Sequence, residues 1–67
     1  MKISGQNKLA GEIIAIKMGE ISCQVTLQSG DSRIVSVITC DSARDMELKV
    51  GDKVVALIKS SEVMIMK

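Results

Sequence analysis

Three clusters of hydrogen-bond donors interrupt an otherwise apolar chain. They are Ser4, Gly5, Gln6, Asn7 and Lys8; then Thr39, Asp41 and Ser42; then Lys59, Ser60 and Ser61. Their side chains are hydroxyls, amides and ammonium groups. Asp41 is the exception, and it must turn away from any anion held nearby. A tetrahedral oxyanion wants a shell of N–H and O–H donors. A lysine offsets part of its charge, and bonds between charged partners are roughly twice as strong as neutral ones. Ser42, beside the first N–H groups of a helix, could add several donors at once. Taken singly, each residue has a plainer role. Ser42 is an N-cap, Ser60 and Ser61 are turn formers, and Asn7 bonds its local backbone. The case for a site rests on three clusters of one chemical character.

Catalysis has little to work with. The chain has no histidine, so its Ser, Thr and Cys side chains lack the usual base. Its carboxylates sit in turns or alternate with lysines and form no acid–base pair. The chain therefore reads as a binding protein, not an enzyme. Cys23 and Cys40 lie far apart and make no CxxC motif. They read as small core hydrophobes in a reducing compartment, and without His a zinc or iron site has almost no ligands. Net charge is +1 with no aromatic residue. A nucleic-acid module shows a basic stripe and stacking aromatics, so a nucleic-acid-binding barrel is the alternative from another class, and a weak one. No apolar run approaches the ~20 residues of a membrane span, and no signal peptide precedes the domain. The expectation is a cytoplasmic protein, complete from Met1, with neither a membrane nor a nucleic acid as partner.

The elements that must position these clusters are mostly strands. Residues 9–18 form the first, with Gly11 marking a bulge or sharp bend. Residues 21–28 alternate cleanly, with Ile21, Cys23, Val25 and Leu27 on the dry face. Ser29-Gly30-Asp31 turns the chain into a third strand over 32–40. Residues 41–48 form a short helix with Ser42 as N-cap and Asp45 completing a capping box, its Ala43, Met46 and Leu48 facing the core. Residues 54–58 are apolar at every position, and 63–66 form a last apolar strand. A strand apolar on both faces must be covered on both. The expected fold is all-β: a five-stranded OB-type Greek-key barrel with one short helix between strands three and four, as a single domain over residues 1–67. At 67 residues, 46% of them apolar, such a chain buries only about 60% of its unfolded surface. Covering the remaining apolar faces with further copies is the common remedy.

With those residues in place, the chain resembles the molbindin family, small molybdate-binding proteins made of one Mop domain. Ile3-Ser4-Gly5-Gln6-Asn7-Lys8-Leu9-x-Gly11 is similar to the family's opening Ile-Ser-small-Arg-Asn-x-Leu-x-Gly. Ile38-Thr39-x-Asp41-Ser42 is similar to its Ile-Thr-x-x-Ser segment before the helix. Gly51-Asp52-x-Val54-x-Ala56-Leu57-Ile58-Lys59-Ser60-Ser61-x-Val63 is similar to its ending. The resemblance covers essentially the whole chain. It implies a cytoplasmic homohexamer, a trimer of dimers, that binds molybdate or tungstate at subunit interfaces for storage or homeostasis. It also implies an anion shell of Ser4, Gln6, Lys59 and Ser60, with backbone N–H groups at Gly5 and Ser61 and with Thr39 and Ser42 from a neighbouring chain. The departure is Gln6, where the family has Arg. Gln offers two N–H donors but no charge, so weaker or more salt-sensitive binding is expected.

Overall fold

A computed structural model of the chain describes residues 7–67. Four strands, β1 (Asn7–Met18), β2 (Ser22–Ser29), β3 (Ser32–Thr39) and β4 (Lys53–Ile58), pair antiparallel in the order β3-β2-β1-β4. One helix, α1 (Cys40–Asp45), lies between β3 and β4, and a single 3-10 turn (Ser60–Glu62) follows β4. This is the expected all-β barrel topology with its helix in the expected place.

β1 turns the sheet's corner. Its first half, Asn7 to Glu12, pairs with β4, and its second half, Glu12 to Met18, pairs with β2. Only Glu12 has a neighbour on both sides. The expected irregularity is present but divided between two sites. The extra residue is Ile14, between the paired Ile13 and Ala15. It takes up one odd step, so Ile13 and Ile16 both reach the core although three residues apart, which a regular period of two forbids. Gly11 serves a close approach instead. A Cβ there would stand 2.8 Å from the Gln28 carbonyl oxygen. The corner is further tied down by Ile13 N–H donating to Asp52 O at 2.9 Å, Gly51 N–H donating to Ile13 O at 2.8 Å, and the Ser29 hydroxyl donating to Ala10 O at 2.7 Å.

β2 and β3 form the expected hairpin. Ser29 pairs with Ser32, leaving a two-residue loop whose first position is Gly30 at φ 58°, a left-handed value suited to glycine. Cys23, Val25 and Leu27 are buried on the dry face of β2 as the alternation requires. Ile21 precedes the strand and is exposed. Ile13, Val25 and Leu27 form the main core, and Cys23, Cys40 and Ala43 form a second cluster under α1.

The helix corrects the sequence reading at both ends. Its N-cap is Thr39, not Ser42, and it begins at Cys40. The Thr39 side chain accepts from Ser42 N–H at 3.1 Å, the geometry an N-cap needs. The chain had two hydroxyls three residues apart, and the extended backbone of Thr39 (φ −69°, ψ 148°) continues β3 directly into the cap. The helix ends at Asp45 rather than 48. Glu47 adopts φ 53°, while Glu47 N–H donates to Arg44 O and Leu48 N–H to Ala43 O, both at 3.0 Å. That paired closure is a Schellman motif, and Leu48 packs back on the Ala43 cluster. Met46 is exposed, not core-facing.

The strand count differs from the expected five. Among the described residues Val63 to Met66 pair with nothing, and Met64, Ile65 and Met66 are 92, 90 and 96% exposed. A strand exists only through its pairing, and the 3-10 turn leads the chain off β4 without returning it to either sheet edge. Those edges, β3 and β4, face each other across an apolar cavity of about 490 Å³ lined by Val35, Ile38, Leu48, Ile58 and Lys59 among others. Val35, Val37, Val55 and Leu57 on these edge strands are also exposed.

Two substitutions test this account in urea unfolding at fixed protein concentration. Gly11→Ala forces a Cβ against backbone and is expected to cost about 1–3 kcal/mol, the range for overpacking. Glu47→Gly relieves a left-handed side chain and is expected to stabilise by roughly 0.5–1 kcal/mol.

Candidate anion-binding site

The three donor clusters meet the structure differently. Ser4, Gly5 and Gln6 lie outside the described residues. The next residue, Asn7, opens β1 directly opposite Ile58, so antiparallel pairing brings the end of the first cluster beside Lys59. Lys59 is exposed and has no carboxylate partner among the described residues. It stands at the N-cap of the 3-10 turn without making a side-chain cap. The first N–H groups of such a turn have no partner inside it, and those of Ser60 and Ser61 have no backbone partner outside it among the described residues. Glu62 N–H is spent on Lys59 O at 2.9 Å.

Thr39 and Ser42 are exposed at the end of the opposite sheet edge, β3. Thr39 Oγ1 accepts from Ser42 N–H and donates to Ser42 Oγ at 2.8 Å. Its proton is therefore committed. Ser42 Oγ, having accepted that proton, keeps its own hydrogen free to donate outward. The helix start supplies less than the sequence suggested. Ser42 N–H is consumed by the cap and Cys40 N–H by Ile21 O at 2.8 Å. What this corner offers an anion is the Ser42 hydroxyl proton, polarised by the bond it receives from Thr39. Asp41 turns onto Arg44, Oδ1 to Nη1 at 3.4 Å with both side chains exposed. That surface pair adds little stability, but it draws the one carboxylate of the cluster onto a cation.

No hydrogen bond among the described residues joins Thr39 or Ser42 to Lys59, Ser60 or Ser61. The described donors sit on the two edges of one sheet, each set open to solvent. Among the described residues no group of three or more His, Cys, Asp or Glu side chains could hold a metal ion. Among the described residues, the shifted titrating group lies elsewhere. The Cys23 thiol is pushed up by its hydrogen bond with Cys40, then by burial and by the Cys40 charge, against smaller opposing pulls from Gly19 and Arg44. Sequence spacing gave no sign that these two cysteines meet.

Comparison with known proteins agrees with this fold. The TOBE domain family profile matches residues 3–65. Molybdenum-pterin-binding protein 3 of Clostridium pasteurianum is 39% identical, the match spanning 98% of each chain. A molybdate-binding protein from Sporomusa ovata has the same fold, with a TM-score of 0.96, 39% identity and complete coverage of both chains. ModG, a cytoplasmic molybdate-binding protein whose structure holds molybdate, superposes with a TM-score of 0.84 and 32% identity over 97% of this chain and 53% of its own.

The two hydroxyls at the β3 end carry separable duties, and single substitutions separate them. Thr39→Ala removes the cap and is expected to cost about 1 kcal/mol in urea unfolding. Ser42→Ala leaves the cap bond to its backbone N–H intact and should cost clearly less.

Proposed function

The chain belongs to the TOBE domain family and, within it, to the molbindins, and from that membership we propose that it binds molybdate, or tungstate, at interfaces between copies of itself. Its role is binding, not catalysis. The proposed oligomer is a cytoplasmic homohexamer, a trimer of dimers, built from one domain over residues 1–67 and serving storage or homeostasis of the oxyanion.

The observation that carries this reading is the unfinished state of the single chain. Its donors occupy the two edges of the sheet, where Lys59 is unpaired among the described residues. Its apolar faces at Val35, Val37, Val55 and Leu57 and its tail from Val63 to Met66 are bare. A second copy covers both deficits at once. In the proposed shell Lys59, Ser60 and the Ser61 N–H of one chain, with Ser4, the Gly5 N–H and Gln6, face Thr39 and Ser42 of a neighbour. Ser42 is the outward donor of that pair and Thr39 its support.

The donor character favours molybdate and tungstate over phosphate. Both are fully deprotonated dianions at neutral pH, whereas a protonated phosphate brings its own O–H toward Lys59 and backbone N–H groups that offer no acceptor, and only a hydroxyl or the Gln6 amide oxygen turned to accept can meet it. A buried donor left unpaired costs roughly 1–3 kcal/mol. That corresponds to about 5- to 150-fold in affinity, at about 1.4 kcal/mol per factor of ten.

Native mass spectrometry with and without molybdate tests the reading. A hexamer that takes up several molybdates is expected, with phosphate failing to replace them. A monomer that takes up none overturns it. Lys59→Ala should keep the assembly and weaken uptake at least roughly tenfold, since a hydrogen bond to a charged group contributes about 1.5–3 kcal/mol.

A further inference from the structure

Three sulfur atoms converge at the end of the sheet farthest along β1 from Asn7. Met18 closes β1 directly opposite Cys23 of β2. The turn between them is held by Gly19 N–H donating to Ser22 O at 2.9 Å. Cys23 pairs on its other side with Ile38, and Cys40 follows two residues later, fixed by its N–H to Ile21 O at 2.8 Å. The register therefore gathers the ends of three neighbouring strands. Cys23 Sγ stands 3.2 Å from Met18 Sδ. Cys23 and Cys40 pack in one buried cluster, both with free thiols. The Cys40 thiol donates to Gly19 O at 3.4 Å.

We infer that Met18 Sδ, Cys23 Sγ and Cys40 Sγ form a binding site for a soft monovalent metal ion, copper(I), independent of the anion site. Thiolate and thioether ligands together select Cu(I). Zinc wants four ligands, typically thiolate, imidazole or carboxylate. This chain has no histidine, and the oxygen these thiols contact among the described residues is a backbone carbonyl, Gly19 O. On binding, each thiol gives up its proton to solvent, and the ion accepts three sulfur lone pairs with no change of oxidation state. The product carries one net negative charge, and Arg44 on α1 is near enough to act electrostatically on Cys23. Access runs past Met18. It is 54% exposed, whereas Cys23 and Cys40 are 0 and 2% exposed, so its flexible thioether can capture the ion at the surface and pass it to the thiolates beneath.

The test is an anaerobic titration of the reduced protein with Cu(I), supplied as its acetonitrile complex, against the chromogenic chelator bicinchoninate. One copper retained per chain is expected, with an X-ray absorption spectrum showing sulfur neighbours only. Met18→Leu sits at an exposed position and should fold normally by circular dichroism. It should lose at least roughly tenfold in copper affinity, since even partners outside the ligand shell contribute about 10–100-fold. Its molybdate uptake should be unchanged, which separates this site from the anion reading. Cys40→Ser should retain no copper. A wild-type protein that yields all its copper to the chelator overturns the site. So does equal retention by Cys40→Ser, a spectrum with nitrogen or oxygen neighbours, or tighter retention of Zn(II) than of Cu(I).

Discussion

The corner in β1 is the constraint on which the rest of this small fold depends. A flat strand of twelve residues would need one partner along its whole length. Here the strand changes partner at Glu12, and the change is possible because two local devices act within four residues. Gly11 lets the Gln28 carbonyl approach to a distance that a Cβ would block. The bulge at Ile14 resets the inside–outside alternation so that Ile13 and Ile16 both face inward. From that corner the sheet curls, β3 and β4 turn toward each other, and the donor clusters come to lie at its two edges.

Among the described residues the curl does not close. Two small clusters hold the six buried apolar residues, Ile13, Val25 and Leu27 in one and Cys23, Cys40 and Ala43 in the other. A larger set of Val, Leu, Ile and Met side chains stays exposed, including the whole tail from Val63 to Met66. Exposed apolar surface of this extent marks an interaction face. Nothing in the composition can substitute for it, since the chain has neither aromatic anchors nor a disulfide. The same open edges carry Lys59 at one side and Ser42 at the other. Under the proposed assembly, burying the apolar faces and completing the donor shell are one event, so anion affinity and subunit affinity are thermodynamically linked.

Much of the fold was legible because its signals are local. Strict alternation located β2, Gly30 located the hairpin, and the hydroxyl-to-Asp45 capping pattern located the helix between β3 and β4. The errors fall where two local readings compete or where the deciding contact is distant. Thr39 and Ser42 are both good caps, and only the direction in which β3 enters the helix chooses Thr39. The left-handed Glu47 that stops the helix is not a residue type that announces such a turn. Residues 63–66 have the composition of a strand, but pairing is a property of a partner edge, not of the segment. The donor clusters could be recognised by chemistry, whereas the meeting of Met18, Cys23 and Cys40 could not. It depends on register between three strands, with Met18 and Cys23 facing across a turn and Cys40 joining from the third.

The hydroxyl pair at the end of β3 shows how a structural bond can set binding chemistry. Thr39 Oγ1 accepts from Ser42 N–H to start the helix and donates its own proton to Ser42 Oγ at 2.8 Å. That leaves Ser42 as a hydroxyl that has already accepted one bond and presents its hydrogen outward. A serine free to rotate can donate or accept, and so can serve a protonated anion as well as a deprotonated one. This serine is biased toward donation, because one of its two acceptor lone pairs is already occupied by Thr39 while its hydrogen is not. Lys59 and the backbone N–H groups of Ser60 and Ser61 are donors without any acceptor lone pair to offer. The two sides of the proposed shell thus share one bias by different means, charge and backbone on one edge and a capped hydroxyl on the other. Selection against a protonated oxyanion then rests on the fold of the helix cap as much as on the lysine, since losing the cap would return Ser42 to rotational freedom without removing a single donor.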